Sequence, residues 1–218
     1  MVKAVENAES SGRTYGGLTA EQRTAARRER LLDAGLEVFG TEGYRAASVR
    51  GVIRMSGLGE RYFYENFSDL DELLVAVAER IHEEVMAETL VAVAGAGSDP
   101  IDQVSAGLGA FVRSITRDPR KARIKLLEMS GAGEVVQSRR REGMRTIADL
   151  IALRAPQIAD DRGLDPRVIS LGLVGAVNEL MIDWFTGGGS AAEIDGLVEH
   201  CTVLFEGVMR LANQPEEK

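Results

Sequence analysis

From Thr19 onward, apolar residues recur at three- and four-residue spacing, and no segment sustains the period-two alternation of a half-buried strand. The pattern predicts an all-α chain of about nine helices. Thr19-Ala-Glu-Gln22 has capping-box spacing and opens a helix to about Gly40, with Leu31, Gly35, Val38 and Phe39 on one stripe. Val49, Val52 and Ile53 mark a short helix over Ser48–Met55. Gly57 supplies a residue that tolerates a left-handed backbone, and helix resumes at Gly59 or Glu60 to run to Phe67. Ser68 is the expected cap of a long helix ending near Ala94. Asp99-Pro100, Asp118-Pro119 and Asp165-Pro166 each join a strong N-cap to a residue favoured at the first helical position. They predict helices over about 100–117, 119–130 and 166–186. Another spans about 134–153, and Ser190-Ala-Ala-Glu193 opens the last, over about 191–212.

Two helices joined by a short glycine turn make residues 43–67 a candidate helix-turn-helix, whose second helix can enter a DNA major groove. At 100° per residue, Phe63 and Phe67 share the inward face of that helix. Arg61, Tyr62 and Glu65 project from the opposite side, with Glu60, Tyr64 and Asn66 on the flanks. Arginine is the commonest reader of guanine edges, and a carboxylate can accept from cytosine. Tyr64 and Asn66 suit phosphate contacts, which orient without specifying. On spacing alone, a small helical hairpin with a solvated polar face explains the segment equally well.

Charge changes the picture once it is divided by region. The net charge of −8 looks wrong for a DNA binder, yet residues 1–67 hold ten Lys+Arg against nine Asp+Glu, and 13–61 hold nine against six. An acidic body with a mildly basic head suits local phosphate binding and argues against indiscriminate nucleic-acid coating. Arg23, Arg27, Arg28 and Arg30 crowd the first helix, as a solvated face or as phosphate contacts. Aromatics, at 5%, are too few for a β-sandwich and fit an aliphatic helical interior. No uninterrupted apolar run approaches 18 residues, so no membrane span is expected, and the first residues lack the apolar segment of a secretory signal. Cys201 stands alone, and a cytoplasmic location is the simple expectation.

Candidate chemistry elsewhere is weak. GAGSDP (95–100), SGAGEV (130–135) and TGGGS (186–190) follow no strand and lack GK[ST], so they read as helix ends rather than phosphate loops. His82 and His200 belong to no ligand set, and Glu83-Glu84 and Asp160-Asp161 are adjacent rather than sharing one helical face. No metal, cofactor or enzymatic activity is expected.

The run from about Gln22 to Ile81 resembles the DNA-binding domain of the TetR family of transcriptional regulators. The resemblance rests on RRERLLDAGLEVFGTEGY, SVRGVI, the SG-L turn and YFYENFSDLDELL. It implies a DNA-binding domain at 19–67 extending to about 81, a ligand-binding and dimerisation domain at 68–212, and a tail at 213–218, while the Ser-, Gly- and small-polar-rich residues 1–18 are expected to be a disordered tail on composition. Ser48, Arg50, Gly59, Glu60, Arg61, Tyr62, Tyr64 and Asn66 become the DNA-binding set. Three positions depart from the family pattern. Leu70 stands where a phosphate-binding lysine is common, Ala47 replaces a threonine, and Gly59 replaces the usual Ser or Thr cap.

The same resemblance implies a homodimer through helices about 166–186 and 191–212. The expected inward residues of that pair are Leu171, Val174, Val177, Met181 and Phe185, with Leu197, Cys201, Leu204 and Val208. It also implies a chamber for an unknown small-molecule effector, with Phe111, Ile115, Leu126, Met129, Met144, Ile147, Met181, Trp184 and Phe185 as walls. Glu128, Arg145 and Asn178 are its candidate polar contacts, and Arg139-Arg140-Arg141 could steer an anion or form a solvated face. The expected function is a ligand-released repressor on a palindromic double-stranded operator. A DNA-binding activator or architectural protein without an effector is the alternative, and an enzyme on a helical scaffold the remote one.

Overall fold

The computed structural model describes residues 19–154 and 165–212; the expected tails at 1–18 and 213–218, and Asp160-Asp161, lie outside that range. Among the described residues there is no strand. The head comprises α1 (Ala20–Thr41), a 3-10 turn (Tyr44–Ala46), α2 (Val49–Ser56) and α3 (Glu60–Tyr64). The body follows with α4 (Leu70–Gly95), α5 (Pro100–Thr116), α6 (Pro119–Arg123), a π turn (Ile124–Glu128), α7 (Met129–Gly131), α8 (Glu134–Arg154), α9 (Pro166–Thr186) and α10 (Ile194–Ala212). Counting the unbroken run from α6 to α7 as one, these are nine helices, as the pattern predicts.

The caps explain most of the boundaries. Thr19 and Gln22 close a reciprocal capping box on α1, the Glu193 carboxylate accepts from Ser190 N ahead of α10, and Asp99, Asp118 and Asp165 each accept from a backbone N–H at the start of their helices. Two boundaries differ from expectation. The long helix is capped by Asp69, which accepts from Glu72 N, while Ser68 stays outside and donates its N–H to the Glu72 carboxylate. A carboxylate one residue closer to the helix takes the cap. α3 stops at Tyr64 rather than Phe67, because Asn66 folds back to donate to Tyr62 O and the chain tightens into a turn.

One buried cluster runs from Leu31 and Phe39 on α1 through Phe63, Phe67, Leu73, Leu74 and Ile81 to Ile124, Met181 and Cys201, so head and body share a continuous interior. α4 packs along α5, α8 along α9, and α10 against α5 and α9. Of the residues expected inward on α9 and α10, Leu171 and Leu204 instead face outward at 40% and 36% exposure. Their helices carry apolar side chains that the rest of the chain leaves uncovered. α9 bears on the expectation about membrane spans without overturning it. Arg167, Glu179 and Asp183 interrupt any apolar run, yet the helix is long and apolar enough on average to cross a bilayer, and only 22% of that stretch is buried within the chain.

Candidate functional site

The head is braced around one sharp turn. Gly57 adopts φ 63°, the left-handed conformation that ends α2, and Arg30 reaches from α1 to donate to Ser56 O at 2.7 Å. Ser56 Oγ donates to Ile53 O and accepts from Leu58 N, so its side chain substitutes for the hydrogen bonds the broken helix loses. Phe63 and Phe67 are buried beneath α3. Arg27 lies over the Tyr62 ring at 4.4 Å and Arg28 over Phe67 at 4.6 Å. Three of the α1 arginines therefore hold the turn and α3 in place, a role that neither expectation for them included.

This bracing leaves most of the residues expected outward facing away from the core, but Tyr62, expected on the outermost side, is half-buried under Arg27. Glu60, Arg61, Tyr64 and Glu65 are exposed, and Tyr62 and Asn66 half-buried. Arg61 is paired with Glu65 at 2.6 Å while its side chain remains 86% exposed. Such a pair contributes little to stability, so its guanidinium is free to exchange partners. Ser48 caps α2 by accepting from Gly51 N at 3.1 Å, leaving its hydroxyl proton for another acceptor. Arg50 and Arg54 sit one turn apart on the exposed side of α2. Gly59 precedes α3 with no side-chain cap, and a Cβ there would make ordinary contact with Tyr62 Cδ2 at 3.9 Å. Leu70 is half-buried against the core, and Ala47 is half-buried likewise, so neither offers a polar group to the surface.

Head and body meet at α6. A Cβ on Gly40 would lie 2.4 Å from Arg120 Cβ, so only glycine admits that approach. Arg120 pairs with Glu37 and with Asp118, each at about its hydrogen-bonding distance of 2.7 and 2.8 Å. Arg123 donates to Thr41 O and to Glu128, and Glu128 accepts from Tyr44 N at 2.9 Å. The Tyr44 hydroxyl donates to Asp71 on α4; that bond, with burial and the nearby Asp71 and Asp69 charges, leaves its pKa pushed up to about 12.

A cavity of about 460 Å³ opens between α4, α5, the π turn, α8 and α9. Of the residues expected to form an effector chamber, Phe111, Ile115, Leu126, Met129, Met144, Ile147, Asn178 and Met181 line this cavity. Glu128, Arg145, Trp184 and Phe185 do not. The π turn adds a residue to its helix and rotates Glu128 toward the head. Arg145 lies about 100° around α8 from Met144 and is exposed. Trp184 and Phe185 lie a turn beyond Met181, past the end of the cavity, with the indole against Gly189. Lys125, His82 and Glu79 also line the cavity, and helical spacing does not single them out. Lys125 had a signal, since it stands alone among Ile124, Leu126 and Leu127. Arg139 and Arg140 line the cavity as well; Arg141 is exposed and does not.

An all-helical chain with a braced helix-turn-helix on a cavity-bearing body has the arrangement of a DNA-binding transcriptional regulator. Residues 31–77 match the family model of the bacterial regulatory proteins of the tetR family. The chain is 27% identical over 140 residues to an HTH-type transcriptional regulator from Haemophilus influenzae, covering 62% of this chain and 66% of that protein, just short of two thirds of its length. Its fold is similar to that of a TetR-family transcriptional regulator from Rhodococcus sp. (TM-score 0.67, 21% identity, 85% of this chain and 99% of the other). It is similar also to one from Syntrophomonas wolfei (TM-score 0.71, 13% identity, 85% and 96%). The head thus matches the DNA-binding domain of the tetR family over residues 31–77, and the whole fold is similar to that of TetR-family regulators.

Proposed function

We propose that the protein is a ligand-released repressor that binds a palindromic operator as a homodimer in the cytoplasm. Residues 19–67, continuing to about 81 in α4, form its DNA-binding domain, and 68–212 its effector-binding and dimerisation domain. The observation that carries this reading is the π turn, which lines the cavity with Lys125 and Leu126 and binds the head through Glu128 and Tyr44 N. A ligand that reshapes that turn acts on the head directly. It shifts the balance only by its difference in affinity between two states, and a tenfold loss of operator affinity needs about 1.4 kcal/mol.

On DNA, Arg61 and Tyr62 contact base edges, with Glu60 beside them. Ser48, Arg50, Tyr64 and Asn66 hold phosphates, and Gly59 lets the backbone at the start of α3 come close. The exposed Leu171, Leu180, Val203 and Leu204 support an isologous dimer through α9 and α10, which would bury the uncovered apolar length of α9 without any membrane. Fluorescence anisotropy on an operator duplex tests the assignment. Arg61→Ala is expected to cost about 1–3 kcal/mol and relax specificity at one position. Asn66→Ala should instead weaken all sequences alike and flatten the salt dependence. Unchanged specificity in both Arg61→Ala and Tyr62→Ala contradicts the assigned groove face. For the dimer, Leu204→Asp should yield monomer or aggregate by light scattering, and a monomeric wild type at micromolar concentration contradicts it.

A further inference from the structure

We infer that the body cavity accepts an amphipathic organic anion, its apolar part against the methionine-rich wall and its charged group at Lys125 and Arg140. The inference rests on reading that cavity as the effector site. Lys125 stands on the π turn between the buried side chains of Ile124 and Leu126, and faces the cavity. Among the described residues it forms no hydrogen bond or ion pair. Burial pushes its amine down to about 8, Arg140 across the cavity on α8 pushes the same way, and Glu79 on α4 opposes them. An ammonium without a partner in such a place is costly unless a counter-charge arrives.

The neighbouring groups do not supply one. Arg139 is already paired with Glu142 at 3.1 Å, and both are exposed. Glu79 is exposed, where water screens its charge. His82 is held toward its neutral form by burial and by Lys125. The uncompensated charge facing the cavity is therefore cationic. The remaining wall is mostly apolar, including Phe111, Met129, Met144 and Met181, and the volume lies within the range of small-molecule sites. Methionine walls adapt to a flexible chain. A purely apolar ligand would leave Lys125 desolvated and unpaired, and a small inorganic anion would leave the apolar wall unfilled.

Isothermal titration of the full-length protein at pH 7 with decanoate, decyl phosphate and decanol tests the inference. Either anion is expected to bind at least tenfold more tightly than decanol. Lys125→Met should bring the anions to the level of decanol while decanol binding holds, and Arg140→Gln should reduce the preference by a smaller factor. Decanol binding as tightly as both anions overturns the anion assignment and leaves the effector cavity standing. An anion preference that survives Lys125→Met places the charged group elsewhere and also overturns it. Absence of binding by all three probes counts against the effector-site reading and the inference together.

Discussion

The head and the cavity are built on opposite terms. In the head, the frame beneath α3 is set by local packing within about forty residues: Arg27, Arg28 and Arg30 brace Tyr62, Phe67 and Ser56, and Phe63 is buried outright. The cavity draws its wall from six separated segments between Val75 and Phe205, and space remains at their meeting. A surface that must present side chains in fixed register gains from rigidity. A chamber that must admit a molecule and pass on its presence gains from loose packing and from a turn that can shift.

Truncation should separate the two most sharply. Phe63→Ala empties a filled site and is expected to cost about 3–5 kcal/mol in urea denaturation. Phe111→Ala only enlarges a cavity that already exists, so it should cost markedly less; equal losses would mean that the two regions are packed alike. Lys125→Met tests the cost stored in the cavity wall. The lysine's folded pKa lies below its unfolded value of 10.5, so the wild type gains stability as pH rises from about 8 to 10.5 and lacks it below. At pH 7 the variant is expected to be more stable by about 2–3 kcal/mol, with the difference closing over that window. A gain that does not depend on pH would show that charge burial is not its source.

The contact between the regions comes next. Gly40→Ala forces a methyl into Arg120 and should cost about 1–3 kcal/mol, with operator affinity falling alongside. Loss of stability with operator binding intact would show that α6 does not position the head. The smallest effect is expected at Gly59, whose φ of −79° is open to any residue. Gly59→Ser should add a few tenths of a kcal/mol to about 1 kcal/mol through a better cap and a less flexible unfolded chain. A loss there would mean that the backbone at the start of α3 needs glycine for a reason other than its cap.

The contrast also explains what was legible in the sequence. Caps, the Gly57 turn and the Phe63–Phe67 pair act over a few residues, so spacing located the helices and the outward face of α3. The cavity depends on helix phase across long separations, and one inserted residue in the π turn suffices to carry Glu128 from the expected wall to the head. Helical period gives the side of α9 on which Met181 and Trp184 stand, but not where along its axis the cavity ends. The lone lysine at 125 was visible as an anomaly in an apolar run. Its environment came from Arg140 and Glu79, which no local pattern connects to it.

Selection of bound duplexes from a random DNA pool by the full-length protein tests the central claim most directly, that α3 of two symmetry-related heads reads an operator. The account expects an enriched palindrome with half-sites about one helical turn, or a multiple of it, apart. In Arg61→Ala, preference should be lost at the same position of each half-site. A single unpaired half-site, or a pool that gains no consensus, would contradict it.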